Sequence, residues 1–310
     1  MMKRPTPATP VPEGSAGMEA TKVAAEQETA LVALVRAVGQ AEILPRFRRL
    51  APGDAAAKTT PDDLVTAADI AAERALATGI GRILPSARVV GEEAVSDDPA
   101  LLDGLEEAPL SVLVDPVDGT WNFAHGLAVF GTMVAVLVRG VPVWGMLHDP
   151  VFDDWVVARR GGGAWFARPG AEPRRLRLDG AAPASAVAFM AIDLFGDAAR
   201  PNLAQGLASA QRTISLRCSC HEYRTLLTGG AVSIVNAAAK PWDHAAGLLA
   251  VAEAGGVARR ADGGPPTPAR TSGPLLVARS DAEMEEVLAR YGPALRQTET
   301  ETGAPEASEA

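Results

Sequence analysis

The chain has 310 residues, 47% of them hydrophobic, and a formal net charge of -9. That length and apolar content suffice for a sizeable core and exclude a wholly disordered chain. The acidic balance argues against a nucleic-acid polymer bound through a basic surface, but not against a small phosphorylated ligand, because bound cations reverse the field inside one cleft. Residues 1–17 are rich in Pro, Thr and Gly and read as a disordered tail. The basic start "MMKRPTPATPVPEG" runs into prolines where a secretory leader would need an apolar stretch. From Met18 to Leu50, Ala, Glu and Leu recur at helical spacing, with Pro45 as a kink or an end; a loop, "APGDAAAKTTPDD", follows. "LVTAADIAAERALATGIGRILP" is a second amphipathic helix that stops before Pro85.

After that helix the texture changes. "ARVVGEE" and "LSVLVDP" predict strands, and "FGTMVAVLVRGVPVWGMLHDP" and "DWVVARRGGGAWFAR" predict strands joined by Gly-containing turns. The longest apolar run, Leu127 to Val138, carries Gly131 and Thr132 and is too short to span a bilayer, so no membrane partner is expected. "RRLRLD" and "AVAFMAI" continue the strand pattern, and "CHEYRTLLTGGAVSIVN" combines a helix and a strand. The only two cysteines, Cys218 and Cys220, are too close to staple a fold and have no second pair for a zinc site, which fits a reducing, cytoplasmic setting. "WDHAAGLLAVAEAGG" is a helix ending at Gly255-Gly256, "GPLLVARS" a last strand and "AEMEEVLARYGPAL" a last helix. Mixed helices and strands predict an α/β protein of layered elements, with a change of domain near residues 155–160.

Acidic residues stand beside turn chemistry in four places: Thr66 and Asp69 in "VTAAD", Glu92 and Glu93 in "GEE", Asp115 and Asp118 in "DPVDGT", and Asp243 in "WDHAAG". Each has a plain reading. Thr66-x-x-Asp69 has the spacing of a helix capping box, Glu92-Glu93 that of a solvated loop, Asp243 that of an N-cap, and Asp118-Gly119 that of a hairpin turn. Together they suit a hard cation, which takes oxygen ligands and shares its shell with water and phosphate. Pro116 bends the chain so that Asp115 and Asp118 can face one point. Gly119 and Thr120 then offer backbone N–H groups to an anion.

"GEE", "DPVDGTWNFAHG" and "PWDHAAG", in that order, closely resemble the inositol monophosphatase family of magnesium-dependent, lithium-sensitive phosphatases. "KTTPDDLVTAAD", with its Lys58, fits the segment preceding them, and the resemblance runs from about residue 18 to about residue 290. It implies an αβαβα sandwich in two halves, 18–157 with most metal ligands and 158–292 with Asp243 and the substrate-side residues, followed by a tail over 293–310. It implies two or three Mg2+ ions held by Glu92, Asp115, the Val117 carbonyl, Asp118 and Asp243. Glu92 would also hold the attacking water, and Thr120 hydrogen-bonded to Asp69 would polarise it. The amides of Gly119 and Thr120 would bind phosphate, and a homodimer is expected. The two-residue gap between Asp115 and Asp118 departs from the Asp-x-Asp of haloacid-dehalogenase-type phosphatases, which points to metal-activated water and away from an aspartyl intermediate.

The match loosens on the substrate side. Asn236 stands seven residues before Asp243, where the family has a glutamate on the substrate hydroxyls, and Arg217 and Ser219 stand where small residues are usual. Asp118 and Asp243 would also face the substrate. Inositol 1-phosphate is therefore one candidate among small polyol and sugar phosphates, beside histidinol phosphate, 3'-phosphoadenosine 5'-phosphate and fructose 1,6-bisphosphate. A non-catalytic phosphate-ligand binding protein is the reading from another class. His221, Glu222, Tyr223 and Arg224 are expected at the pocket edge or in domain packing, and His125, His148, His244 and both cysteines in structural places.

Overall fold

The structure, a computed structural model, describes residues 23–302 except for 52, 59–62, 209–211, 268 and 270–272. The two N-terminal amphipathic helices are α1 (Ala25–Val38) and α2 (Ala67–Ile83), the first ending in a π-helical turn over Gly39–Ile43 ahead of Pro45. Part of the expected loop between them closes a short antiparallel pair, β1 (Ala55–Ala57) with β2 (Leu64–Thr66). The second helix therefore begins at Ala67, three residues beyond Leu64.

β3 (Arg88–Gly91) feeds a short helix, α3 (Glu92–Asp97), and β4 (Ser111–Asp118) feeds another, α4 (Thr120–Ala124). From β4 the chain meanders through β5 (Gly131–Val138), β6 (Val141–Asp149), β7 (Asp154–Arg159), β8 (Gly163–Ala167) and β9 (Arg174–Leu176). These strands make a seven-stranded sheet in the order β3 to β9, with only β3 and β4 parallel. The division expected at 157/158 thus falls inside one sheet: Val157 pairs with Trp165 across β7 and β8. The glycines at 161–163 turn a hairpin, and the change of sheet comes between Leu176 and Val187.

The second half alternates β10 (Val187–Met190), α5 (Arg200–Ala208), β11 (Thr213–Ile214), α6 (Ser219–Leu227), β12 (Ala231–Asn236), α7 (Pro241–Glu253), β13 (Val257–Arg260), β14 (Leu275–Ala278) and α8 (Asp281–Thr302). Its five-stranded sheet has the order β11-β10-β12-β14-β13. Three apolar clusters join five layers. Leu31, Val35, Leu76 and Ile80 of α1 and α2 cover one face of the first sheet; Leu226 of α6 and Leu249 and Val251 of α7 fill the space between the sheets; Leu203 of α5 and Met284 and Leu295 of α8 cover the second sheet's outer face. β4 shows how alternation builds this: Val112 and Val114 join the first cluster and Leu113 the second. It is buried on both faces along its whole length, and its apolar residues Val112, Leu113 and Val114 follow one another without alternation. Residues expected in a tail from 293 onward belong to α8 as far as Thr302. Ala294 and Leu295 are buried in α8, because the second sheet needs that helix as its cover, and residues 1–22 and 303–310 lie outside the described residues.

Candidate active site

Where β4 ends, its pairing with β5 slips between Asp115 and Asp118, over Pro116, which has no N–H to donate to a ladder. Gly119 then takes a left-handed conformation (φ 86°, ψ 34°) and caps α4. A Cβ at Gly119 would lie 2.9 Å from the Val129 carbonyl oxygen and 3.1 Å from Cys218 Cβ, so both the backbone angle and the space require glycine. Asp118-Gly119 is therefore a strand-to-helix corner and not the two-residue hairpin. Both aspartates are buried, Asp115 1% and Asp118 7% exposed.

Two further carboxylates join them from other elements. Glu92 opens α3 at the end of β3, buried where a solvated loop was the plain expectation. Asp243 comes from the other half as the third residue of α7, whose cap is Lys240 and whose first residue is Pro241. Oxygens of Glu92, Asp115 and Asp243 lie within 4.8 Å of one another. Asp115 Oδ1 is buried without a hydrogen-bond partner among the described residues. Burial, with the charges of Glu92, Asp118 and Asp243, pushes the Asp115 carboxyl far above its ordinary range. Burial and the Asp243 charge push Asp118 up to about 7 against the pull of its hydrogen bonds, and burial raises Asp243 against the pull of Lys240. Buried oxygens that repel one another, one of them orphaned, fit a hard divalent cation such as Mg2+.

Asp69 serves two elements at once. Its Oδ2 accepts from the backbone N–H of Thr66 at 2.9 Å and from the Thr66 hydroxyl, while Thr66 Oγ1 accepts from the N–H of Ala68, which makes the expected capping box. Its Oδ1 accepts from Thr120 Oγ1 at 3.1 Å. The box holds the carboxylate still for the long-range contact, so one side chain makes both the cap and the hydrogen bond to Thr120. Burial raises Asp69 to about 6. Thr120 Oγ1 is also 3.0 Å from the Val117 carbonyl, and since both neighbours only accept, its single proton serves one at a time.

Cations flank the acids. Lys58 Nζ lies 3.3 Å from Glu92 Oε1 and 2.8 Å from Glu93 Oε1, and Lys240 Nζ lies 3.6 Å from Glu92 Oε1. Burial raises Glu93 to about 7 despite Lys58. Glu73 accepts from the N–H groups of Glu93 and Ala94 and so fixes the start of α3. Glu73 and Lys240 were not singled out in the sequence; a cation three residues before Asp243, at the cap of a Pro-initiated helix, was the available signal for Lys240.

A cavity of about 420 Å3 opens onto these groups, and its lining includes Asp115, Asp118, Gly119 and Thr120 together with Arg217, Ser219 and Asn236. Every residue expected on the substrate side therefore lines the same space. Ser219 offers its N–H to Asp118 Oδ1 at 3.2 Å, Cys220 offers its N–H to Oδ2, and Cys218 Sγ donates to Oδ2 at 3.0 Å. Cys218 is thus a hydrogen-bond donor to a site carboxylate, a role its spacing to Cys220 did not announce. Its burial keeps the thiol protonated. Asn236 Nδ2 is buried with no partner among the described residues. Glu222 also lines the cavity, while Arg224 reaches Asp154 and Tyr223 is buried against His244. His244 Nε2 faces the Ala238 carbonyl at 3.2 Å and so carries the proton; His148 is buried beside Asp153, and His125 stacks on Trp121 at 4.0 Å.

Residues 24–294 match the model of the inositol monophosphatase family. The chain belongs to that family. A histidinol-phosphatase of Mycobacterium tuberculosis is 34% identical over 212 residues, which span 66% of this chain and 77% of that protein. An inositol-1-monophosphatase of Mesorhizobium japonicum is 29% identical over 216 residues, 66% of this chain and 74% of that one. Inositol monophosphatase II of Staphylococcus aureus superposes with a TM-score of 0.71 over 90% of this chain and 98% of its own, at 22% identity, which shows the shared fold. As an inositol monophosphatase family member the chain is a phosphoric monoester hydrolase. Among the described residues no helix is long and apolar enough to cross a membrane.

Proposed function

We propose that the chain hydrolyses the phosphate ester of a small polyol or sugar, with inositol 1-phosphate and histidinol phosphate the first substrates to try. The observation that carries this is the convergence of Glu92, Asp115, Asp118 and Asp243 beside Gly119-Thr120, with Asp115 Oδ1 unpartnered. Glu92, Asp115, Asp118, Asp243 and the Val117 carbonyl would hold two or three Mg2+ ions. When bound, these supply positive charge against the phosphate oxygens and make a neighbouring water more acidic. Asp69 keeps the Thr120 hydroxyl proton on its own Oδ1, which leaves Oγ1 lone pairs to accept a hydrogen from the attacking water, and Glu92 holds that water from the other side. The amides of Gly119 and Thr120 bind the phosphate, and Ser219 and Asn236 meet the alcohol. Lithium sensitivity, a cytoplasmic setting and a homodimer belong to the same proposal.

The test is phosphate release, with and without Mg2+, from inositol 1-phosphate, histidinol phosphate, 3'-phosphoadenosine 5'-phosphate and fructose 1,6-bisphosphate, each with and without millimolar lithium. Metal-dependent turnover of one or more, suppressed by lithium, is expected. Release from none would leave a phosphate-ligand binding protein as the better reading. The histidinol-phosphatase relative is what places that substrate in the first pair.

A further inference from the structure

Arg217 occupies a backbone position that suits glycine. Its φ is 50°, in the left-handed region, where four residues other than glycine lie among those described: Arg48, Arg139, Asp153 and Arg217. Of these, only Arg217 lines the cavity. A side chain kept where the backbone disfavours it is a pointer to what the side chain does. The guanidinium lies 4.8 Å from the centre of the Trp121 ring and has no ion pair among the described residues. Arg224 on the neighbouring helix, by contrast, is paired with Asp154.

The stack sits at the border of the phosphate end. Trp121 follows Thr120, and Arg217 precedes Cys218, which donates to Asp118. The Arg217 cation lines the same cavity as Gly119 and Thr120 but belongs to a different segment of the chain. The acids on the same wall do not neutralise it. Burial raises Glu222 to about 8, so it is uncharged at pH 7, and its Oε1 already accepts from the N–H of Leu216. Asp193 also lines the cavity, exposed, and makes no ion pair among the described residues. Asn236 Nδ2 adds a second donor with no acceptor among the described residues. A planar guanidinium braced on an aromatic face is suited to a two-point grip on a phosphate or a carboxylate.

We propose that the alcohol this enzyme dephosphorylates carries a second anionic group, a phosphate or a carboxylate, and that Arg217 braced on Trp121 holds it while Asn236 donates to an oxygen between the two ends. This rests on the phosphomonoesterase reading and narrows it, away from inositol 1-phosphate and from cationic histidinol phosphate. Two substrate pairs test it with Mg2+ present: fructose 1-phosphate against fructose 1,6-bisphosphate, and glycerol 2-phosphate against 2-phosphoglycerate. In the native enzyme one pair should favour its doubly anionic member by about tenfold to a hundredfold in kcat/KM, mostly through KM, and which pair does so tells phosphate from carboxylate. Arg217→Gly, which relaxes the backbone, should bring that ratio to about one, and Arg217→Lys should restore part of it. Ratios near one in both native pairs, a ratio unchanged in Arg217→Gly, or a preference for histidinol phosphate over all four compounds would overturn the inference while leaving the phosphatase intact. No Mg2+-dependent release from any of these compounds or from inositol 1-phosphate would overturn the phosphomonoesterase reading beneath it.

Discussion

The two sides of the cavity are unsatisfied in opposite senses. At the phosphate end the groups are acceptors short of donors: Asp115 Oδ1 has none among the described residues, and its carboxyl is pushed far up by its neighbours. Along the substrate-side wall the groups are donors: Asn236 Nδ2 has no acceptor and the Arg217 guanidinium no ion pair among the described residues. Asp118 belongs to both sides, since its carboxylate is gripped by the N–H groups of Ser219 and Cys220 and by the thiol of Cys218. The contrast teaches how the work is divided. One end is built to gather positive charge and the other to meet an oxygen-rich ligand, and the start of α6 ties them together through a single carboxylate.

The largest effect should come from breaking that tie. Asp118→Asn keeps one oxygen, which can accept from the backbone N–H of Cys220 but not also from that of Ser219, and loses the charge, so the fold should persist while kcat falls about a thousandfold. The rise in melting temperature on adding Mg2+ should shrink with it. Near-native turnover in this variant would break the assignment of the acidic end.

A smaller effect tests the claim that the wall is uncharged. Glu222 titrates near 8 when folded, against an ordinary value of 4.5, because it is buried. The unfolded chain gives up this proton first, so native stability declines as pH rises from 4.5 towards 8. Glu222→Gln, whose amide oxygen can still accept from Leu216, has no such proton. Its stability advantage over the native chain in urea unfolding should grow across that window to about 4 kcal/mol at pH 8. An advantage that does not change with pH would mean that Glu222 is ionised and that the wall is acidic.

The smallest effect concerns the thiol. Cys218→Ala should lower kcat/KM about threefold to tenfold by removing one donor to Asp118, and Cys218→Ser, which keeps a donor, should stay close to native. Equal losses in both would mean that Cys218 acts by packing alone.

Much of the acidic end was legible in the chain because its geometry is local. A buried strand broken by Pro116, a glycine that must turn left and a threonine opening a helix lie within six residues, and Asp69 with Thr66 is a capping box that sequence spacing reveals. The wall was less legible. Arg217, Ser219 and Asn236 were marked by departing from a pattern, but the burial that neutralises Glu222, the thiol on Asp118 and the lysine at the cap of α7 depend on contacts 100 or so residues apart. The division of the chain was misplaced for a related reason: glycines at 161–163 look the same in sequence whether they join strands of one sheet or separate two domains.

The sequence alone determined that this chain would bury a core of mixed helices and strands, that carboxylates would surface where strands end, and that the family would be the inositol monophosphatases. Periodicity, turn chemistry and motif order are properties of neighbouring residues, and they are written in the chain itself. Only the tertiary structure decided that Glu92, Asp115 and Asp243 come within 4.8 Å, and that Arg217 rests on Trp121 with no acid paired to it among the described residues. Burial and charge at a point are sums over everything packed around it, and no local stretch of sequence carries that sum.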